Sequence, residues 1–531
     1  MKIKIFKELL INKSYILITF AISLLTILPN IILSPTIKVT IVMVIAILIL
    51  ILISKFSKVV FIFFISYINI SNIMIVHTAI HWGYKNADIT PRLYAMSLSP
   101  AYESIEYLNN YLDYRDLLLG LYILFIIYLI YKYISVCKHT FNLVKRISFI
   151  STIMLVSVLT YIPYNLSKTF DEVPYRFNKE PFNMPLKCLK FLNEPRTKEL
   201  LARKEYMSHS TFNIDKNNIS TLYNKVIVIV GESVNKHHMG LYGYNSNTTP
   251  FLSSLKKNKN LFTFNVIAPT NQTRYSVPIL LTKANVEDYV NLYTHSHSII
   301  KDFYMKGYTT SWISNQGHVG KHDNSISLIG QEADKRVFFN KGDYRKAKTD
   351  DSVVDYLNKH KLNSDKELSI IHLMGSHFDY TKRYTKEHMF FNKPKNVIEE
   401  YDNSIYFTDY VLENIYKYYS KDEKVLFIYF SDHGEVMADD GNINKIGGHG
   451  FNPAYKEEYE VPFVIYSSID NPRLNKLLEK NKEHYFNMEN LNYMIEYISG
   501  IREDDNVSYS SNVFTLEPKN IIDYEKLKYY Q

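Results

Sequence analysis

A chain of 531 residues exceeds what one core of ordinary size can organise, so at least two structural units are expected. Its 61 lysines and arginines exceed its 53 aspartates and glutamates by eight, a surplus that cations flanking membrane segments absorb and that calls for no nucleic acid as partner. Two cysteines, Cys137 and Cys188, leave no room for a disulfide framework.

Between Lys13 and Lys38 only uncharged, mostly apolar residues occur, and similar runs cover 39–54, 59–80, 117–136 and 147–167. The five runs read as bilayer-spanning helices, at about 14–37, 39–54, 59–80, 117–136 and 147–167. The first lacks a clean small-residue cleavage site and is followed at once by another apolar run, so it reads as a retained anchor. Lys2, Lys4, Lys7 and Lys13, then Lys55 and Lys58, then Lys132, Lys138, Lys145 and Arg146 fall on one side if the N-terminus is cytoplasmic. Everything after residue 168 then lies outside, and the two cysteines sit on opposite sides of the membrane.

Residues 168–220 are charged and broken by Pro174, Pro181, Pro185 and Pro195. They read as a linker with short amphipathic helices along the membrane surface. From 221 to 515, strand-like runs alternate with mixed helical stretches: 225–230, 308–313, 368–374, 425–430 and 459–468. That alternation predicts an α/β domain with a largely parallel sheet flanked by helices, followed by a tail over 516–531.

Ligands in such sheets bind beyond the carboxyl ends of the strands. There the sequence places Glu232 after "KVIVIVG", Asp432 and His433 in "SDHGE", His377 in "GSH", and Asn315 with Gln316 in "SNQ". Any one of these is ordinarily a capping or surface group, but their recurrence at successive strand ends gives a mixed oxygen and nitrogen set suited to zinc, with manganese second. His449 in "GGHGF" joins them from a glycine-rich loop. His237 and His238 fall inside the helix expected after Glu232 and read as helix surface or packing. A nucleophile is sought in "NVIAPTNQTRYSVPILLT", where Thr270, Thr273 and Ser276 all qualify, because a bound divalent metal can activate a hydroxyl.

Three motifs, "VIVGES" followed by "NKHHMGLYGYNSNTTP", then "NQTRYSVP", then "SDHGE" with "GGHGFNPAYKEEYEVPFVIY", make the chain resemble the membrane phosphoethanolamine transferases of the sulfatase and alkaline phosphatase superfamily. The resemblance implies a five-span anchor in a bacterial inner membrane and a periplasmic catalytic domain. It implies that Glu232, Asp432 and His433 bind a catalytic zinc, that Thr273 is both nucleophile and metal ligand, and that His377 and His449 hold substrate phosphate or a second zinc. Arg274, Asn315, Gln316 and Lys321 are candidate substrate contacts. The implied donor is phosphatidylethanolamine and the acceptor is lipopolysaccharide, at lipid A or a core sugar, or another envelope glycan. The absence of disulfides and the "NQTR" motif resemble the branch acting on core sugars or other surface glycans more than the disulfide-rich lipid A-modifying members. The rival readings are a phosphoglycerol transferase of the lipoteichoic-acid-synthase type and an inactive lipid-binding regulatory homologue. A sulfatase is disfavoured because the Cys/Ser-x-Pro-x-Arg element is absent.

Overall fold

A computed structural model describes residues 2–33, 44, 47–54, 57–82, 114–137, 195–214 and 221–502, the last with gaps at 258–259, 287, 318–324, 341–347, 361–363, 441–446, 452–453 and 476–484. They divide into two compact units, one within residues 1–194 and one running from Pro195.

In the first unit, helices Lys2–Leu33, Lys58–Trp82 and Tyr114–Cys137 pack on one another, with a shorter helical stretch at 47–54. Ile22, Ile27, Leu50, Phe61, Ile65 and Ile126 meet between them. Asn69 donates to the Thr26 hydroxyl at 2.8 Å and accepts from Tyr122 at 2.7 Å, a polar knot tying the three long helices together. Leu117, Leu121, Leu124 and Ile127 point outward, an arrangement suited to lipid contact and costly in water. By length and apolarity, Tyr114–Val136 can cross a membrane, and Ser14–Pro29 is a shorter apolar helix. The helix that carries the first expected span starts at Lys2, ahead of its apolar stretch Ser14–Pro29. The fifth, Cys188 and the tail lie outside the described residues.

The second unit contains strands β1 (Lys225–Gly231), β2 (Leu261–Thr263), β3 (Asn265–Ile267), β4 (Thr309–Gly317), β5 (Lys335–Asn340), β6 (Glu367–His372), β7 (Val425–Ser431), β8 (Glu460–Val461), β9 (Phe463–Ser467) and β10 (Tyr485–Asn487). Among the described residues, seven of them form one sheet in the order β2-β9-β7-β1-β6-β4-β5, and β10-β3-β8 form a small second sheet. β1 lies between β7 and β6, parallel to both, while β9 runs antiparallel to β7. The aliphatic run of β1 has a simple cause. Val226, Val228 and Val230 enter one core with Val277, Leu280 and Ile370, whereas Ile227 and Ile229 enter the other with Val411, Leu412 and Ile415. Both faces are covered, so positions 226–230 are all aliphatic, while Lys225 at the start of the strand is buried against Glu367 at 3.2 Å.

The run 459–468 is divided. Pro462 has no N–H to give a ladder, and the residues before it pair with β3 while those after it pair with β7.

The expected linker also ends sooner than its proline content suggests. Helix Pro195–His209 packs within this second unit, burying Arg203 against Glu332 with its guanidinium 4.3 Å from the Tyr293 ring centroid. Arg203 also donates to the carbonyl of Ser296 at 2.9 Å, so at least this helix belongs to the domain and not to a free connector. Arg203→Ala leaves Glu332 buried without its cation and is expected to cost about 3–5 kcal/mol, read as a lowered Cm in urea.

Asp409, on helix Val397–Tyr419, accepts from the N–H groups of Phe251 (2.7 Å) and Leu252 (3.1 Å) and so caps helix Pro250–Leu255. Burial pushes its carboxyl up from 3.8 to about 7 despite those bonds. Because the folded value is the higher one, the folded chain keeps a proton that the unfolded chain has lost, and stability falls as pH rises from about 4 to about 7. Asp409→Asn is expected to remove that slope, at most about 1.4 kcal/mol per pH unit, in a plot of unfolding free energy against pH.

Candidate active site

In the order β7-β1-β6-β4, four neighbouring parallel strands end at one edge. Gly231 lies opposite Ser431, and Val230 opposite His372, which in turn lies opposite Ser314. Whatever follows these strands must therefore meet. Glu232 follows β1, Asp432 and His433 follow β7, the turn to His377 follows β6, and Gln316 is near the end of β4.

Glu232, Asp432 and His433 are fully buried, and one ligand atom of each lies within 4.8 Å of the others. Thr273 completes the group: its hydroxyl is 3.0 Å from Glu232 Oε1, 3.0 Å from Oε2 and 3.0 Å from His433 Nε2. It does not sit in a turn, as the Ser-Val-Pro sequence suggests, but opens helix Thr273–Leu281. Pro278, six residues in, lacks the N–H that would bond the carbonyl of Arg274, and the helix ends three residues later at Leu281. One turn along, the Ser276 hydroxyl donates to the carbonyl of Asp432 and fixes the helix to the loop that carries Asp432 and His433.

Charge decides what this cluster lacks. Burial and the neighbouring Glu232 push Asp432 up to about 7. Burial opposes ionisation of Glu232 as well, but the hydrogen bond and charge of His433, with the charges of His377 and His449, hold it far below the usual carboxylate range. Burial alone would lower His433, yet Asp432 and Glu232 raise it to about 10. Two sequestered carboxylates thus call for positive charge. Asp432 Oδ2 is buried with no hydrogen-bond partner, and His433 Nδ1 faces the carbonyl of Gly434 at 2.9 Å, which directs Nε2 into the cluster. An orphaned carboxylate oxygen, an oriented imidazole and a second carboxylate are what a divalent cation binds.

His449 lies beside the cluster, its ring centroid 4.2 Å from that of His433, and Nδ1 is 2.8 Å from Glu435 Oε2. Glu435 also accepts from Tyr380 at 2.7 Å, and His433, Glu435 and His449 form a second group able to hold a cation. Sequence reasoning passed over Glu435 although it ends the quoted "SDHGE". It also missed Glu458, which accepts from the N–H groups of Phe451 (3.0 Å) and Tyr455 (2.8 Å) and from Asn271 (2.8 Å), joining the His449 loop to the Thr273 segment.

The remaining expectations divide. Gln316 donates to Glu232 Oε2 at 3.2 Å and to the carbonyl of Leu373 at 3.0 Å. Asn315 is fully buried and donates to Lys348 O (2.9 Å) and Asp350 Oδ1 (2.8 Å), so it braces the scaffold and does not face a ligand. His377 is partly buried with Nδ1 2.6 Å from Phe378 O, and Arg274 lies 5.2 Å from the Tyr275 ring centroid. Lys321 is outside the described residues. The helix expected after Glu232 is absent: Ser233 turns the chain at φ 59°, and two 3-10 turns, Lys236–His238 and Gly240–Tyr242, follow. Asn235 caps the first and Gly243, at φ 99°, ends the second. His238 pairs with Asp402 at 2.9 Å and His237 with Glu460, which keeps both off the cluster.

Fold and site together define a doubly wound α/β domain with a threonine hydroxyl set among two buried carboxylates and a histidine at the carboxyl edge of its sheet. The chain belongs to the Sulfatase family, whose match covers residues 224–497, more than half its length. It is 29% identical over 262 residues to phosphoethanolamine transferase EptC of Escherichia coli O18:K1:H7, covering 46% of this chain and 45% of that protein. The chain thus spans about half the length of the curated relatives it matches. Two solved structures share its fold. The C-terminal periplasmic domain of E. coli EptC in complex with Zn has a TM-score of 0.50 at 24% identity, over 59% of this chain and 96% of the other. The integral membrane lipooligosaccharide phosphoethanolamine transferase A of Neisseria meningitidis has a TM-score of 0.56 at 17% identity, over 91% and 95%.

Proposed function

We propose that this protein is a membrane-anchored, zinc-dependent phosphoethanolamine transferase. The observation that carries the reading is the Thr273 hydroxyl, 3.0 Å from both oxygens of a buried carboxylate and from His433, at the start of a helix. The names of the relatives and the zinc-bound domain supply the group transferred and the metal.

Glu232, Asp432 and His433 would hold the ion with Thr273 Oγ1 beside them. When bound, it supplies positive charge to the cluster and acidifies the threonine hydroxyl. The rest falls to the chain. Glu232 orients Thr273, whose oxygen attacks the phosphorus of phosphatidylethanolamine; the bond to the diacylglycerol oxygen breaks and diacylglycerol leaves with a proton. An acceptor oxygen then attacks the phosphoethanolamine on Thr273, and the threonine regains its proton. His377, His449, Gln316 and Arg274 are the groups that would steady phosphoryl oxygens or the headgroup. A second ion would draw on His449 and Glu435.

The acceptor is lipopolysaccharide or another envelope glycan, met on the periplasmic side of an inner membrane that the N-terminal helices span with the N-terminus cytoplasmic. The Cys/Ser-x-Pro-x-Arg element of formylglycine sulfatases is missing from the sequence, which favours transfer from a lipid over sulfate ester hydrolysis. The test is intact mass of the full chain, loaded with zinc in detergent, after incubation with phosphatidylethanolamine or phosphatidylglycerol. A phosphoethanolamine adduct is expected. A phosphoglycerol adduct instead assigns the other donor, and no adduct with either overturns the reading.

A further inference from the structure

Asp350 is nearly fully buried and stands at the start of helix Asp351–Lys359, yet its side chain makes no cap there. It turns instead to the chain following β6. Oδ1 accepts from Met374 N at 2.9 Å, Oδ2 from Gly375 N at 2.8 Å, and Asn315 Nδ2 adds a third donor at 2.8 Å. Two consecutive backbone N–H groups on one carboxylate fix the turn that they belong to.

That turn lies against Glu232. Gly375 is held at φ 52°, and a Cβ there would stand 2.8 Å from the backbone N and O of Glu232. Ser376 N donates to Glu232 O at 2.9 Å, and the carbonyl of Leu373 at the other end of the turn accepts from Gln316, whose amide also reaches Glu232 Oε2. One carboxylate therefore governs both the backbone and one side-chain oxygen of the residue at the centre of the site.

We infer that Asp350 is a positioning residue for Glu232, acting through the Leu373–Ser376 turn to hold the metal-binding carboxylate in place. This rests on reading Glu232 as a metal ligand, and it does not depend on which lipid the enzyme uses. Asp350→Asn keeps the shape but presents an amide to a backbone N–H, so the turn is released from one of its two bonds. Outer-shell partners of metal ligands typically contribute about 10- to 100-fold in metal affinity.

The experiment is cobalt(II) titration of the full chain in detergent, following the visible d–d absorption, with urea unfolding of the metal-free protein in parallel. Asp350→Asn is expected to weaken cobalt binding about 10- to 100-fold and to alter the band shape. Asp409→Asn is the control: it removes a comparably buried carboxylate that also binds two backbone N–H groups, and it is expected to leave cobalt binding and spectrum as in wild type. Should Asp350→Asn fail to fold, Asn315→Ser takes away one of the three donors with the carboxylate in place, and a smaller loss of cobalt affinity is expected. Wild-type affinity and spectrum in a folded Asp350→Asn, or in Asn315→Ser where that variant decides, overturn the inference. An equal loss in Asp409→Asn does so too, and a wild type that binds no cobalt overturns it together with the metal-centre reading. A wild type that binds cobalt but gains no lipid adduct overturns only the transferase reading, and the contrast between Asp350→Asn and Asp409→Asn then supports the inference.

Discussion

Thr273→Ala is expected to abolish the covalent adduct and to reduce transfer by about 10⁴-fold or more, the scale on which nucleophile removal acts in enzymes with a covalent intermediate. Neither of the other two candidate hydroxyls in its segment replaces it. Thr270 donates to the carbonyl of Gln272 at 3.1 Å, and Ser276 is fully buried and donates to Asp432 O. Neither is directed at the cluster. Thr273→Ser keeps an oxygen at the same place and is expected to retain an adduct. Intact mass together with diacylglycerol release reads both variants, and an alanine variant that still acquires the group would remove Thr273 from the role of nucleophile.

The second large effect is at Asp432, where stability and function are expected to move in opposite directions. Its carboxylate is buried beside Glu232, and the two charges repel. Since the folded value is raised from 3.8 to about 7, the metal-free protein is destabilised progressively as pH rises through that interval and bears the full cost at pH 8. Asp432→Asn removes the repulsion, so the metal-free variant is expected to melt at or above the wild-type temperature at about pH 8. Zinc, which raises the melting temperature of the wild type by binding its folded form, is expected to lose nearly all of that effect, and transfer falls by about 10³-fold or more. Melting curves with chelator and with zinc check both halves. A variant destabilised without metal and still stabilised by zinc would contradict the assignment.

The grouping of Glu232, Asp432 and His433 is legible because each follows an apolar run long enough to be a strand buried on both faces. Parallel strands bring their carboxyl ends together whatever their order in the sheet, so Glu232, Asp432 and His433 could be grouped without knowing that β7, β1 and β6 are neighbours. The hydroxyl was not separable by chemistry, because Thr270, Thr273 and Ser276 differ only in direction, and direction comes from the helix that begins at Thr273. What was hidden depends on contacts distant in sequence. Asp350 looks like an ordinary helix-start carboxylate, and only the fold shows it bonded to Met374 and Gly375. Asn315, one residue from Gln316, faces the scaffold and not the site. The helix expected to carry His237 and His238 failed for a local reason: Asn235, Gly240 and Gly243 favour caps and turns over a continuous helix.

The docked helix Pro195–His209 decides where the second unit can be cut from the first. A fragment begun at Thr221, where the first strand-like run comes into view, discards Arg203 and leaves Glu332 inside the domain with, among the described residues, the Ser298 N–H and hydroxyl as partners of its side chain. It also uncovers the face of Tyr293 on which the guanidinium rests. Such a fragment would be recovered in poor yield or as aggregate, and its failure would be mistaken for a property of the active site. Begun ahead of Pro195, the fragment carries its own closing piece.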